Sequence, residues 1–549
     1  MRNMMFCYQC QETALGKRCV KYGVCGKGPD VAAMQDLLLY VTKGLSCITT
    51  RLREEDKCVS REINHLITRN LSSTITNTNF DKKVLAKYVV DTVFAKEALL
   101  PQISVTNDLP KAAFWTIESG WDEKNGLSVI AEENEDIRSL KETITYGLKG
   151  LASCMESANA LSEEDEVIDA FIQRALSKTL DETISTVELL KLMLETGKFG
   201  LFGMDLLSGA KTKKYGAPVI TSVSTGVRKK PGILVSGHDF HDLEMLLEQS
   251  KNAGVDIYTH AEMLPAQYYP RLKKHAHLAC NYGGSWRGQK EDFERFHGPV
   301  LMTTGCVIPP NMTYKNRLWT TGTVSIPGCR HIYDEFDGKK DFSEIIAQAG
   351  KYAPPEKIEG GSIIGGFGHE QFLSVSDMIT KAVIKGMISK FAVIFGCDGR
   401  MKTRQYYTDL AKALPKDVVI LTAGCVKYRF IKLNLEDVGG IPRVFDVGQC
   451  TDFYSLLQIV RRLQELLGEE EINNLPIVYN ISWLEQKTII TLLAMLAMGI
   501  KNIHFGPSMP AFFSPAVLEI LKKNYGITGI GTAEEDLKRF FWQEDDGTL

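Results

Sequence analysis

The hydrophobic period of this 549-residue chain changes once, near residue 215, and that change restricts its fold more than any other feature. Before it, residues 31–52, 83–100, 137–161, 163–180 and 183–197 carry apolar side chains at three- and four-residue spacing, the repeat of an amphipathic helix. Leu37, Leu38 and Val41 form one such stripe. Asp30 and Ser162 stand where N-caps are expected, and Ser162 with Asp165 would give an acidic first turn. After the change, short β-rich runs alternate with helical patterns. Residues 232–236 read as a strand, 239–252 as a helix with Phe240, Leu243 and Leu247 on one face, and 255–258 as the next strand. Such βαβ units build parallel sheets covered by helices. Further strands are expected at 300–303, 391–395, 418–422, 443–446, 476–479 and 502–505.

Two stretches break these patterns: the basic segment 211–232, and 352–366 with its paired prolines and glycines. They divide the chain into a multidomain protein. An all-α helical-bundle domain with the N-terminal cysteines is expected over 1–215, followed by α/β Rossmann-like domains over 216–358 and 359–549.

Composition narrows the function. A net charge of −3 gives no electrostatic case for nucleic acid or an anionic membrane as partner. The opening MRNMMFCYQC has no long apolar core of a secretory signal, and the longest near-apolar run, 488–500, is too short to span a bilayer. The expected location is the cytosol. In that reducing compartment, the thirteen cysteines point to metal binding or catalysis before disulfides.

Four of them lie close together, as Cys7-x2-Cys10-x8-Cys19-x5-Cys25. Four thiolates in so short a span suit a metal that takes four soft ligands. Spacing alone leaves an iron–sulfur cluster and a structural zinc equally open. The other candidate ligands follow expected strands: His238 in SGHD, Glu262 in THAEM, Cys306 in TTGC, Cys397 in FGCDGR, Cys425 in TAGC, Cys450 in GQC and Glu485 in ISWLEQK. Open α/β sheets bind their ligands outside the carboxyl ends of the strands. A lone buried cysteine is usually a small core residue, and a glutamate opening a helix usually a favourable first-turn charge. Seven such residues at one topological edge are harder to assign that way. A mixed set of imidazole, carboxylate and thiolate suits a metal cluster with oxo as well as sulfido bridges.

The segments FCYQCQETA, SGHD, YTHAEMLPA, GCDGRMKTRQYYT, LTAGCVKYRF, VGQC and NISWLEQK resemble the signatures of the hybrid-cluster (prismane) proteins, over essentially the whole chain. The resemblance implies the helical domain and two Rossmann-like domains, an architecture shared with nickel-containing carbon monoxide dehydrogenases. It implies a 4Fe–4S cluster on Cys7, Cys10, Cys19 and Cys25. It also implies a hybrid 4Fe–2O–2S cluster on His238, Glu262, Cys306, Cys397, Cys425, Cys450 and Glu485, with a persulfide on Cys397. Glu485, Lys487 and Cys397 are the expected catalytic residues. Gly305 departs from the pattern, since the family is expected to carry Asn before this cysteine. Cys47, Cys58, Cys154, Cys280 and Cys329 match no ligand position.

The activity implied is reduction of hydroxylamine to ammonia and water, or of nitric oxide to nitrous oxide. No GxGxxG fingerprint follows a strand, so electrons are expected from an external donor protein rather than a bound nicotinamide or flavin. Three other readings remain: a carbon monoxide dehydrogenase-like enzyme, a nitric-oxide or redox sensor acting by S-nitrosation, and a zinc-stabilised α/β protein.

Overall fold

Pro29 occupies the first turn of a 26-residue helix, Pro29–Glu54, where its missing N–H costs nothing. The computed structural model describes residues 4–119, 128–334 and 338–541. Helices Arg61–Ser73, Lys82–Leu99, Glu135–Ala160, Glu166–Lys178 and Thr186–Tyr215 complete the N-terminal helical region. Their starts correct two expectations. Gly28, not Asp30, is the first N-cap. Ser162 takes a left-handed φ of 62°, and Asp165 caps the following helix by accepting from the backbone N–H groups of Val167 and Ile168. The Arg61–Ser73 helix had not been expected, and the last helix runs on to Tyr215, ending at Gly216. Pro29–Glu54 is long and apolar enough to cross a membrane by composition, but 72% of its apolar window is buried within the protein, as in a core helix.

Among the described residues beyond Tyr215 lie fourteen strands: β1 (Thr221–Ser224), β2 (Gly232–Ser236), β3 (Asp256–His260), β4 (Leu278–Asn281), β5 (Val300–Met302), β6 (Leu318–Thr321), β7 (Arg330–Ile332), β8 (Ser362–Gly365), β9 (Lys390–Gly396), β10 (Val418–Ala423), β11 (Val444–Asp446), β12 (Ile477–Ser482), β13 (Ile503–Gly506) and β14 (Thr528–Gly529). Twelve of them form two six-stranded parallel sheets, in the orders β4-β3-β2-β5-β6-β7 and β11-β10-β9-β12-β13-β14. Each sheet reverses its winding once, between β2 and β5 and between β9 and β12. In doubly wound sheets, that reversal opens a crevice at the carboxyl ends of the strands. β2, β3, β5 and β10 are buried along their whole length, as parallel strands covered on both faces must be. The two stretches read as linkers pair with each other: β1 and β8 form an antiparallel ribbon from Thr221↔Gly365 to Ser224↔Ser362.

The helix Gln486–Ala497 follows β12 and is gripped by two helices of the N-terminal region. Glycines allow the grip. A Cβ at Gly150 would lie 2.5 Å from the carbonyl of Gln486, and one at Gly197 would overlap the carbonyl of Leu493. The helical region therefore meets, backbone to backbone, the helix that begins at Glu485.

Two candidate metal centres

The N-terminal cysteines sit on a tight loop. Cys7 and Cys19 exchange backbone hydrogen bonds (3.2 and 2.8 Å), and the turn between them lets the N–H of Ala14 donate to the Cys19 sulfur at 3.4 Å. All four cysteines line a single cavity, with Gln9, Thr13, Lys27, Thr76 and Asn79 also in its wall. Burial raises the pKa of the Cys10 thiol, and the neighbouring Cys25 and Cys7 raise it further. Cys25 is also raised by burial, against the pull of Lys27. Lys27 is itself buried and donates to Gln35 at 2.8 Å. Burial disfavours its charge, yet the facing Cys7 and Cys25 outweigh that and raise its pKa. Four converging sulfurs with a buried cation beside them fit a metal cluster whose thiolate charge needs partial compensation.

The second group forms where the two sheets and the gripped helix meet. His238 follows β2 through Gly237, whose φ is +108°. Its Nδ1 pairs with the Thr304 hydroxyl at 2.8 Å, leaving Nε2 facing Cys450 Sγ at 3.4 Å and Glu262 Oε2 at 3.9 Å. Donor atoms of His238, Glu262 and Cys450 all lie within 4.8 Å of one another. Glu262 follows β3 after Ala261, itself at a positive φ of 51°. Its Oε2 accepts from the Cys450 N–H at 2.7 Å, while Oε1 is buried and finds no partner among the described residues. An orphaned carboxylate oxygen in a dry interior is costly unless a cation or donor meets it. That oxygen is where a metal would be held.

From the other sheet, Cys397 leaves β9 through Gly396, where a Cβ would collide with the Ser482 carbonyl, so only glycine fits. Its sulfur lies 3.6 Å from Glu485 Oε1 and 3.8 Å from the Thr488 hydroxyl. Cys425 follows β10, and Cys306 follows β5 with a strained φ of 36°. Cys306, Cys397 and Cys425 pack in one buried cluster with Ala261, Trp286 and Leu484. Glu485 caps the gripped helix by accepting from the Lys487 N–H at 3.2 Å. The Lys487 ammonium lies 3.5 Å from both Glu485 Oε1 and His238 Nε2.

All seven donors and Lys487 are buried, so electrostatics act at nearly full strength. Burial pushes the Cys306 thiol up to about 12, against the pull of Lys487, and Glu485 and Glu262 add to the rise. Cys397, Cys425 and Cys450 are likewise raised, first by burial. His238 is pushed down by burial and by the nearby Lys487 and Lys211, which keeps its imidazole neutral and able to ligate. Lys487 keeps its charge despite burial because Glu485 and the thiols surround it. One imidazole, two carboxylates and four thiols facing one another form a donor set that suits several metal ions of mixed hardness.

Sequence reasoning did not find the residues that hold these donors. Gln449 donates to the carbonyls of both His238 (3.0 Å) and Glu262 (2.7 Å), and Lys211 holds the Gln449 amide oxygen at 2.8 Å. Arg404 donates to the Cys397 and Trp483 carbonyls, the Ser482 hydroxyl and the Gln11 amide, so it joins both candidate centres. Gln449 and Thr304 each stand within two residues of a ligand and Arg404 lies in the GCDGRMKTRQYYT segment, signals that were legible; Lys211 carried none. At Gly305, a Cβ would lie 2.5 Å from the Thr78 hydroxyl, so Thr78 occupies the room an asparagine would use. Cys47, Cys154 and Cys280 are buried, Cys154 near enough to Lys487 and Glu485 to feel their charges, while Cys58 is exposed and Cys329 is half-buried.

Residues 5–538 match the model of the Prismane/CO dehydrogenase family. A hydroxylamine reductase of Desulfovibrio desulfuricans is 54% identical over 98% of this chain and 100% of its own length. Hydroxylamine reductase 2 of Clostridium acetobutylicum is 50% identical over 98% and 99%. Among solved structures, carbon monoxide dehydrogenase IV from Carboxydothermus hydrogenoformans superposes with a TM-score of 0.56 at 16% identity, covering 95% of this chain and 88% of that one. A nickel-free carbon monoxide dehydrogenase from Thermococcus sp. AM4 gives 0.55 at 17%, covering 98% and 92%. Those two likenesses concern the fold; the matched family model and the full-length relatives settle the classification. The chain is a member of the Prismane/CO dehydrogenase family.

Proposed function

We propose that this chain is a hydroxylamine reductase that holds a 4Fe–4S cluster on Cys7, Cys10, Cys19 and Cys25. The same reading places a hybrid 4Fe–2O–2S cluster on His238, Glu262, Cys306, Cys397, Cys425, Cys450 and Glu485, with Cys397 as the persulfide position. The observation that carries it is the convergence of these seven buried donors at the carboxyl ends of both sheets, with one oxygen of Glu262 left unpartnered. Bound there, the cluster would supply electrons and Lewis-acidic iron. The reduction consumes two electrons and two protons per hydroxylamine and yields ammonia and water. Coupled reduction of two nitric oxide molecules with the same electron and proton count would give nitrous oxide and water.

The chain supplies the rest. Trp286, Leu484 and Ala261 wall the site with apolar surface and keep water from it. Lys487 is a charged donor held between Glu485 and His238 and is the proton source of this reading. Electrons would come from a separate carrier protein.

Anaerobic assays of the iron-loaded protein with reduced methyl viologen test this. Hydroxylamine-dependent oxidation of the dye, with ammonia formed, is expected. Lys487→Met should lower that rate by about 10²-fold or more, in the range of a removed general acid. Carbon monoxide oxidation without hydroxylamine turnover would overturn the assignment.

A further inference from the structure

The outer face of the four-cysteine loop joins exposed apolar side chains to positive charge. Leu15, between Cys10 and Cys19, is 96% exposed and sits at a left-handed φ of 57°. A large apolar side chain held in water, on a backbone conformation that disfavours side chains, gains nothing within the chain. Tyr22 is 71% exposed, and Val20 and Val24 are exposed beside it. The loop after Cys397 extends this face. Arg400 donates to the Val24 carbonyl (2.7 Å) and to Glu12 (2.8 Å), and Met401 lies against the Gln11 amide.

The charges are mostly positive, with the exposed Asp30 beside Tyr22 at the margin. Lys17, Arg18 and Lys21 are exposed on the cysteine loop, and Lys402 is exposed on the adjoining one. Between Met4 and Gly28 the one acidic side chain, Glu12, is buried under Arg400. The chain as a whole carries −3, so this positive face is a local departure.

We propose that this face docks a small acidic one-electron carrier protein. Its negative rim would meet Lys17, Arg18, Lys21 and Lys402, and its apolar centre would cover Leu15 and Tyr22. The inference rests on the reading that electrons enter at the four-cysteine centre. At each encounter the carrier is oxidised by one electron and that centre is reduced by one; no bond or proton moves, and two encounters serve one hydroxylamine. Charges on such a rim act mainly on the rate of encounter and its salt dependence.

The test uses the iron-loaded full chain, reduced either by an acidic bacterial ferredoxin or by methyl viologen, at low and high salt. The variants are Lys17→Glu/Lys21→Glu and Leu15→Ser. For the charge-reversed variant, the KM for ferredoxin should rise about tenfold or more. Its salt dependence should flatten, while the viologen-driven rate and iron content stay at wild-type values. Leu15→Ser should weaken ferredoxin use with the salt dependence retained. A wild type indifferent to salt, variants that use ferredoxin as well as wild type does, or retention on anionic lipid vesicles in preference to ferredoxin would overturn the docking inference alone. A wild type with no reducible cluster at the four cysteines would instead overturn the electron-entry reading beneath it.

Discussion

The two candidate centres draw on the chain in opposite ways. The first takes its four donors from residues 7–25, so a single loop brings them together. The second gathers seven donors from between His238 and Glu485, out of two sheets and the start of a helix gripped by the N-terminal region. A local site takes every donor from its own loop, even where residues such as Thr76 and Asn79 wall it. A distributed site exists only when the whole tertiary structure is assembled, and it therefore reports on that assembly. Burial differs in the same sense: Cys7 and Cys25 are half-buried, whereas all seven donors of the second site are buried.

The largest expected effect separates the two. Cys425→Ala should lower hydroxylamine turnover by roughly 10³-fold or more, because it removes one of the converging sulfurs. The electron paramagnetic resonance signal of the four-cysteine centre should remain. Loss of both signals together would break the comparison, since it would mean that the loop depends on the distributed site. A smaller effect sharpens it. Thr304→Val takes away the partner of His238 Nδ1 and frees the ring to turn. Loss of such a support typically costs about 10–100-fold in metal affinity or activity, and should fall on the strand-end centre alone.

The smallest effect compares the helical region with the second sheet through pH. Burial raises the Asp169 carboxyl, in helix Glu166–Lys178, from 3.8 to about 7. The folded state then keeps a proton that the unfolded chain releases, so stability falls as pH rises from about 4 to about 7. His504, in β13, is lowered from 6.5 to about 4, first by burial and then by Arg539. Here the unfolded chain takes up a proton the folded state refuses, so stability is lost as pH falls through that window. In chemical denaturation at a series of pH values, Asp169→Asn should flatten the first slope and His504→Gln the second. Each should change stability by at most about 3–4 kcal/mol across its window, the size of the shift at about 1.4 kcal/mol per unit.

The sequence made the local site plain and the distributed one only half so. The C-x2-C pair and its two later cysteines mark a metal loop by spacing, because neighbours in sequence are there neighbours in space. The strand β2 was legible to the residue, since a run of Gly232–Ser236 between turn residues has one reading. The strands β4, β6, β7 and β14, at or next to a sheet edge, were not legible, being short and ambiguous in period. The β1–β8 ribbon was hidden in segments that read as linkers, because pairing between strands so far apart leaves no local pattern. The caps at Gly28 and Asp165 show the same limit at small scale: several polar residues could begin each helix, and packing chose among them. The seven donors could be named one by one from the strand ends. That they face one another across two sheets follows from the shared strand order and its reversal points, which composition and period do not encode.

Iron and acid-labile sulfide analysis of anaerobically prepared protein, with electron paramagnetic resonance on the wild type and Glu485→Ala, tests the two-centre arrangement most directly. The expected result is about eight irons per chain, and in the variant a strand-end signal altered or lost beside an intact four-cysteine signal. Zinc alone, or about four irons indifferent to the substitution, would contradict it and leave only the N-terminal loop as a metal site.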